Sequence, residues 1–186
     1  LYESVATVGD VQVRNRGTIG GSAAHADPAA DIPAALLALN ATLVVEGPNG
    51  QREISADDFF IDILTTALEP EEILTQIKLP AGAGSSAYEK FAHPASGYAI
   101  CGVAAVVGNG DVRVAVGGAT YKATRLTGVE DALKGGNIDQ QAIENAVNNV
   151  GDQDWAGDHF ASAEYRAHLT KVYAKRALMR AAGFNS

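Results

Sequence analysis

Cysteine is almost absent from this chain, because Cys101 is the single one among 186 residues. One thiol excludes an internal disulfide, and it cannot hold an iron–sulfur cluster, which needs about four thiolates. Cys101 lies in an apolar run, so we expect a buried and unreactive thiol. The histidines His93, His159 and His168 show no metal-ligand spacing with Cys101 or with one another. The sequence therefore predicts no metal site.

Basic residues are also scarce. The chain has 14 Lys and Arg against 22 Asp and Glu, which gives a formal net charge of −8. Phosphate backbones are bound by clustered Lys and Arg, so the composition argues against nucleic acid as the main partner. No apolar stretch approaches the ~20 residues of a membrane span, and no signal peptide is visible. We therefore expect a cytoplasmic location.

The composition is otherwise that of an ordinary globular protein, with 47% hydrophobic and 19% charged residues. A chain of this length forms one or two domains and buries roughly 70% of its unfolded surface. Small residues at 80–86 form a flexible linker. We therefore expect two domains, at 1–80 and 81–186.

Before this linker, the sequence predicts a helix, a hairpin, a short helix and a strand. Asp31 is expected to cap the first helix, with Pro33 in its first turn. Residues 42–45 and 52–54 form the predicted hairpin. Asp57 or Asp58 is expected to cap a short helix that extends to Leu64. The last strand is predicted at 73–79, with its odd-numbered residues on one side.

After the linker, we expect three strands followed by helices. The strands fall at 87–92, 98–107 and 112–118, and Asn109-Gly110 is typical of a tight hairpin between the last two. Helical periodicity follows near 127–134, 138–150 and 162–182, with Ser162 as the cap of the last helix. Three strands followed by helices predict an α+β arrangement.

The most specific segment is 13–31, VRNRGTIGGSAAHADPAAD. Its glycine pair between hydroxyl residues lets the backbone approach an anion, with N–H groups that converge on phosphate oxygens as a nest. Asp31 then brings a carboxylate back to the same loop, unless it only caps the following helix. Arg14 and Arg16 alternate with other residues, which indicates an extended segment. A solvated or subunit-facing role is as open for them as phosphate contact.

The segment 13–31 resembles the second flavin-binding motif of the FAD-binding (medium) subunit of molybdenum hydroxylases, the carbon monoxide dehydrogenase and xanthine dehydrogenase family. The resemblance continues through EEIL at 71–74, YEKF at 88–91, Tyr98-Ala99, VGGA at 116–119 and SAEYR at 162–166. It implies the second half of a PCMH-type FAD-binding domain. A three-stranded antiparallel sheet with a helical bundle, the CO dehydrogenase flavoprotein C-terminal domain, would follow it. Family members carry roughly a hundred more residues in front, with a first glycine-rich loop, so we expect this chain to be a fragment.

The resemblance also implies a set of cofactor contacts. Glu89 competes with Lys90 for one of these positions, and Tyr98 could instead be an aromatic that opens a buried strand. No residue is assigned a catalytic role. The residues implied to contact FAD are Thr18, Ile19, Gly20, Gly21, Ser22, Asp31, Leu74, Lys90 and Tyr98.

The function implied by the resemblance is electron transfer. FAD in this subunit would collect electrons from the [2Fe-2S] clusters of an iron–sulfur small subunit and pass them to an external acceptor. Molybdopterin would belong to a molybdenum large subunit. Two alternatives stay open: a scaffold or subunit-docking fragment that does not retain FAD by itself, and a flavin oxidase that shares the binding fold. The basic residues of the last helix, among them Arg166, Arg176 and Arg180, would form a solvated face or face an acidic partner.

Overall fold

The computed structural model describes residues 1–82, 84–108 and 110–184. The first part of the chain begins with four helices and continues with two small antiparallel sheets. The helices are α1 (Tyr2–Ala6), α2 (Val11–Arg16), α3 (Ile19–His25) and α4 (Asp31–Ala38), and the strands are β1 (Thr42–Gly47), β2 (Gly50–Ser55), β3 (Phe60–Asp62), β4 (Thr65–Thr66) and β5 (Ile73–Lys78).

The predicted hairpin of β1 and β2 is present, and β5 pairs with the other edge of β1 to give the order β2-β1-β5. The predicted alternation along β5 is wrong. The register between β1 and β5 shifts at Val44/Val45, and such a shift breaks the period of two. As a result, Leu74 and Ile77 pack against the core, whereas Ile73 is 70% exposed.

The short helix after β2 is also shorter than predicted. It is α5 (Ala56–Phe59), and its cap is Ser55, whose hydroxyl accepts from the N–H of Asp58. Because the helix ends at Phe59, the residues up to Leu64 instead form the β3–β4 hairpin. Phe59 and Phe60 anchor this hairpin, since both are buried and their rings meet edge to face at 5.3 Å.

The second part of the chain contains the predicted sheet. Its strands are β6 (Ser85–Ala92), β7 (Ala99–Gly108), β8 (Asp111–Gly117) and β9 (Thr124–Arg125), in the order β6-β7-β8-β9. The three predicted strands are therefore present, and the two-residue β9 extends the sheet at its edge. Of the predicted hairpin pair, Asn109 lies outside the described residues, and Gly110 has a φ of +76°.

Helices cover both faces of this sheet, which places α4 against its inner strands. Side chains alternate along β7, so Cys101, Val103 and Ala105 belong to one core and Ala104 and Val106 to the other. The first core lies under α6 (Thr127–Leu133), α7 (Gln140–Ala146) and α8 (Ala163–Ala181). The second core joins α4 with β1 and with β7 and β8. The helix that begins with Asp31 is thus fixed by residues on both sides of the linker.

Helix α8 packs against the sheet as expected, and its basic residues divide into two groups: Lys171 and Arg176 are exposed, whereas Arg166 and Arg180 bind other parts of the fold. Arg166 is buried and donates to the carbonyls of Ile100 and Gly118 at 2.8 and 2.6 Å. Arg180 binds the carboxylates of Glu3 and Glu89. Within the described residues, no helix has both the length and the apolar character that crossing a membrane requires.

Candidate functional site

A cleft of about 930 Å³ lies between the N-terminal helices and the start of α4. This volume is within the range of small-molecule and cofactor sites, about 300–1,000 Å³. Its walls are formed by α1, α2 and α3, by the first residues of α4, and by the loop that carries Ser96 and Tyr98. Six of the nine residues proposed from sequence line it: Thr18, Ile19, Gly21, Ser22, Asp31 and Tyr98.

The glycine segment is the start of helix α3 rather than the predicted nest of three free N–H groups. Thr18 is the N-cap, and its hydroxyl accepts from the N–H of Gly21 at 2.9 Å. The N–H of Ser22 donates to the Thr18 carbonyl at 3.0 Å. The N–H groups of Ile19 and Gly20 belong to the first turn, where a helix supplies no acceptor of its own. An anion at this end of the cleft would meet those two groups.

The two glycines of this turn have different surroundings. A Cβ on Gly21 would lie 2.9 Å from the Thr18 hydroxyl oxygen, closer than real Cβ atoms come to such neighbours. A Cβ on Gly20 would meet only the Leu74 side chain, at an ordinary 3.9 Å. Gly20 and Leu74 are not among the residues that line the cleft. The close approach therefore requires glycine at 21, whereas alanine fits at 20.

Arg14 and Arg16 lie on helix α2, so the extended segment expected there is wrong. Asp10 caps this helix by accepting from the N–H of Gln12 at 2.6 Å. Both arginines line the cleft, and Arg14 also donates to the Ala6 carbonyl at 3.3 Å. An Asp before a helical stretch is a known start signal, and Asp10 could have indicated this helix. The two guanidinium groups supply positive charge beside the start of α3.

Asp31 is the first residue of α4 and does not cap it, because the N-cap is Ala30 and no side-chain bond closes that end. Its carboxylate is instead bound from β6. The Tyr88 hydroxyl donates to Oδ1 at 2.7 Å, and the Lys90 ammonium lies 2.9 Å from the carboxylate. Lys90 also donates to the Thr7 carbonyl at 2.9 Å. Burial raises the pKa of Asp31, and the hydrogen bonds from Lys90 and Tyr88 oppose that rise.

Lys90 is the third proposed contact that is not among the residues lining the cleft. Its side chain is only 5% exposed and ends on Asp31. The competing residue, Glu89, binds Arg180 on α8. Among these two neighbours on β6, Lys90 is the one that reaches the cleft wall, and it does so through Asp31.

Tyr98 reaches the cleft from a closed loop that precedes β7. Tyr98 is 43% exposed, so the alternative of a buried strand-opening aromatic is wrong. His93 closes the loop: its Nδ1 accepts from the N–H groups of Ala95 and Ser96 at 3.2 Å. Gly97, with a φ of +72°, lies backbone to backbone against Gly9, and a Cβ on Gly97 would be 2.6 Å from the Gly9 Cα. Sequence reasoning missed Gly9, since its partner is distant in the chain.

Within the described part of the chain, no group of three or more His, Cys, Asp or Glu residues could hold a metal ion. The cleft combines a helix start and two arginines, which can bind negative charge, with a buried carboxylate, which can accept from hydroxyl or N–H donors.

Comparison with known families places this α+β fold and its cleft in one class, the flavin-binding subunits of larger oxidoreductases. Residues 1–82 match the model of the FAD binding domain in molybdopterin dehydrogenase. Residues 86–181 match the CO dehydrogenase flavoprotein C-terminal domain. The chain belongs to the family of FAD-binding medium subunits of molybdenum hydroxylases.

Individual relatives agree with this assignment. The chain is 37% identical to the nicotine 6-hydroxylase medium subunit of Paenarthrobacter nicotinovorans, over 91% of this chain and 62% of the relative. It is 35% identical to the glyceraldehyde dehydrogenase medium chain of Sulfolobus acidocaldarius, over 98% and 67%. A solved structure of carbon monoxide dehydrogenase from Hydrogenophaga pseudoflava aligns with a TM-score of 0.85 at 36% identity, over 94% and 64%. The chain thus spans about two thirds of the length of these proteins.

Proposed function

We propose that the cleft is part of the FAD site of a molybdenum hydroxylase medium subunit. The observation that carries this proposal is the convergence of Thr18, Gly21, Asp31 and Tyr98 around one cleft of cofactor size. Three separate elements supply these residues, namely the start of α3, the start of α4 and the loop before β7, and Tyr98 is distant in sequence from the others. The absence of a Cβ at Gly21 leaves the backbone of α3 accessible from the cleft, which fits a phosphate group at that helix start.

Each side of the cleft has a distinct role in this proposal. The first turn of α3, with Arg14 and Arg16, binds the pyrophosphate, whose charge must be met by N–H donors and cations. Asp31 accepts hydrogen bonds from the cofactor, and Tyr98 covers the flavin ring and limits its access to water. Ile19 supplies apolar contact. Gly20, Leu74 and Lys90 support these groups from behind, Leu74 beneath Gly20 and Lys90 on Asp31.

We propose that the complete subunit transfers electrons within a larger complex. FAD supplies redox chemistry that amino-acid side chains lack, accepting and releasing electrons singly or in pairs. The chain's own residues bind and orient it and shield one face of the ring. The electrons come from the [2Fe-2S] clusters of an iron–sulfur small subunit that receives them from a molybdenum large subunit, and they leave to an external acceptor.

A pair of alanine substitutions tests the site, because the two glycines of α3 differ in what a methyl group would meet. In the full-length subunit, Gly21→Ala crowds the Thr18 hydroxyl and projects toward the cleft, so FAD affinity falls by about tenfold or more. This loss corresponds to about 1.4 kcal/mol. Gly20→Ala is the matched control, and its affinity stays within about twofold. Fluorescence titration of FAD measures both variants, and circular dichroism checks that both are folded. Equal affinities in the two variants would remove the start of α3 from the flavin site.

A further inference from the structure

Tyr88 is fixed more completely than the other residues around Asp31. Its hydroxyl donates to Asp31, and its backbone N–H donates to the Glu3 carboxylate at 2.7 Å. Its carbonyl accepts from Arg180 at 3.2 Å. The side chain is 6% exposed. Strand β6 therefore places the Tyr88 phenol, which belongs to the second part of the chain, against the Asp31 carboxylate of the first part. Hydrogen bonds from α1 and α8 hold the strand in place.

Gly102 on the neighbouring strand β7 makes room for this phenol. Gly102 pairs with Lys90 in the sheet, next to the Tyr88 position. A Cβ on Gly102 would overlap the hydroxyl oxygen of Tyr88. Glycine in the middle of a strand makes the strand less stable than alanine would. The chain therefore gives up strand stability at a position where a methyl group would displace the hydroxyl from Asp31.

The hydrogen bond runs from the phenol to the carboxylate while Asp31 is ionised. Burial and the nearby Asp31 charge raise the pKa of Tyr88 well above its usual value, so the phenol remains a donor. Burial raises the pKa of Asp31, and the phenol opposes this because a donor stabilises the ionised carboxylate. Removing the hydroxyl therefore moves the Asp31 pKa further upward.

We propose that Tyr88 is a positioning residue of the flavin site, which acts through Asp31 by fixing the place of its carboxylate in the cleft wall. This inference rests on the proposed FAD site. Under this proposal both parts of the chain build the site, because Asp31 lines the cleft and Tyr88, on the second sheet, holds its carboxylate. Gly102 contributes as well, because its lack of a side chain leaves room for the Tyr88 hydroxyl.

Other ionisable groups lie around this pair, and among them Lys90 also opposes the rise in the Asp31 pKa. Lys90 is on the same strand as Tyr88, and Cys101 on β7 interacts with the phenol. Glu3 and Arg180 bind the Tyr88 backbone. The groups that share the cleft are Asp10, Arg14, Arg16, His25 and Asp27. A direct reading of the Asp31 carboxyl is therefore needed, rather than a pH profile alone.

The first measurement follows the Asp31 carboxyl by carbon NMR in the FAD-free full chain. Tyr88→Phe removes only the hydroxyl, and the Asp31 titration midpoint is expected to move upward. Gly102→Ala keeps the hydroxyl but displaces it, and the midpoint moves in the same direction. Tyr173→Phe deletes a hydroxyl on α8, where the ring contacts Phe91 and Arg176, and leaves the midpoint unchanged. An unchanged midpoint in both Tyr88→Phe and Gly102→Ala overturns the proposal.

The second measurement is a double-mutant cycle on FAD affinity. Tyr88→Phe is expected to weaken FAD binding about tenfold, with a loss that grows as the pH falls from about 8 to about 5, since the variant loses its ionised carboxylate first. In the Asp31→Asn background, the same substitution should change affinity less than twofold. Equal losses in both backgrounds would show that Tyr88 does not act through Asp31. If Asp31→Asn alone binds FAD normally while the NMR midpoint shifts, the proposed role of Asp31 fails instead.

Discussion

Two helices at the cleft, α2 and α4, show how differently its walls are built. None of the six residues of α2 is buried, whereas all eight residues of α4 are. Helices α1 and α3 resemble α2, since each buries a single residue, Ser4 and Ala23 respectively. Tertiary packing supplies most of a helix's stability, and isolated helices this short are marginal in water. The cleft therefore has one rigid wall, which carries Asp31, and one wall with little packing.

The difference shows what each wall can contribute to binding. Side-chain caps at Asp10 and Thr18 hold α2 and α3, and each cap is worth about 1 kcal/mol. Segments with few buried contacts open locally at low free energy, and ligand-binding elements are commonly drawn from them. We infer that the buried wall provides a fixed carboxylate, whereas the capped wall adapts its N–H groups and arginines to the ligand.

The largest expected effect is a contrast in amide hydrogen exchange between these two helices. Amides of α4 exchange only through global unfolding, whose free energy is about 5–15 kcal/mol, whereas amides of α2 open at close to zero. Protection factors should differ by at least roughly a thousandfold, which corresponds to about 4 kcal/mol. Mass spectrometry of peptides that cover 11–16 and 31–38 measures the difference. Comparable protection in the two peptides would contradict the contrast between the walls.

The same experiment with FAD sharpens the comparison. FAD that binds only the native state raises the free energy of global unfolding, so it should slow exchange in the packed helices by that common amount. In 11–25, where opening is local, FAD should slow exchange further by ordering these helices. Peptides from 163–181, in helix α8, report the common global effect, since this helix borders no part of the cleft. Slowed exchange confined to α8 would place the ligand elsewhere.

A second prediction concerns the packed part of the molecule, where Arg166 is the buried cation. Its guanidinium binds the carbonyls of Ile100 and Gly118 and the carboxylate of Asp158, the latter at 2.7 Å. Arg166→Met leaves these acceptors without a donor and should cost about 3–5 kcal/mol. For a chain of this size the melting temperature should fall by roughly 10 °C. Differential scanning calorimetry measures the change.

The control for this substitution is Lys171→Met on the exposed side of the same helix, where a change within about 0.5 kcal/mol is expected. Arg166 does not line the cleft, so the still-folded variant should retain its FAD affinity. A melting temperature equal to that of the Lys171→Met protein would mean that the buried guanidinium adds nothing to the packed part.

Local rules predicted much of this fold. The strands β7 and β8, the hairpin of β1 and β2, and the Ser162 cap of α8 follow from apolar runs, turn residues and capping chemistry. The TIGG segment led to the cleft because its residues are contiguous in the chain. The nest expected for this segment is wrong, however. The segment begins helix α3, and the Thr18 hydroxyl caps that helix by accepting from the N–H of Gly21.

Long-range contacts account for what the sequence could not predict. Asp31 has the residue type and position of an N-cap, but its carboxylate meets a phenol 57 residues later. The pairing of Gly9 with Gly97 and the burial of Arg166 likewise depend on how distant segments meet. The shift in register at β5 arises from its pairing with β1, and the strand's own composition carries no sign of it.

The smallest expected effect concerns Arg180, which ties the poorly packed α1 to the packed α8. Arg180 binds Glu3 at 2.6 Å, the Glu89 carboxylate and the Tyr88 carbonyl, on a helix face for which the sequence left a solvated and a partner-facing role open. Because the side chain is about one third exposed, water screens these bonds, and Arg180→Glu should cost about 1 kcal/mol, or about 2–4 °C in melting temperature. Lys175→Glu reverses a cation that binds Glu144 across the surface, and it should cost less than about 0.5 kcal/mol. Exchange of the α1 amides should accelerate in the Arg180 variant and not in the Lys175 variant, because of these two cations Arg180 is the one that binds Glu3. Identical melting temperatures and α1 exchange in the two variants would show that α1 is held independently of α8.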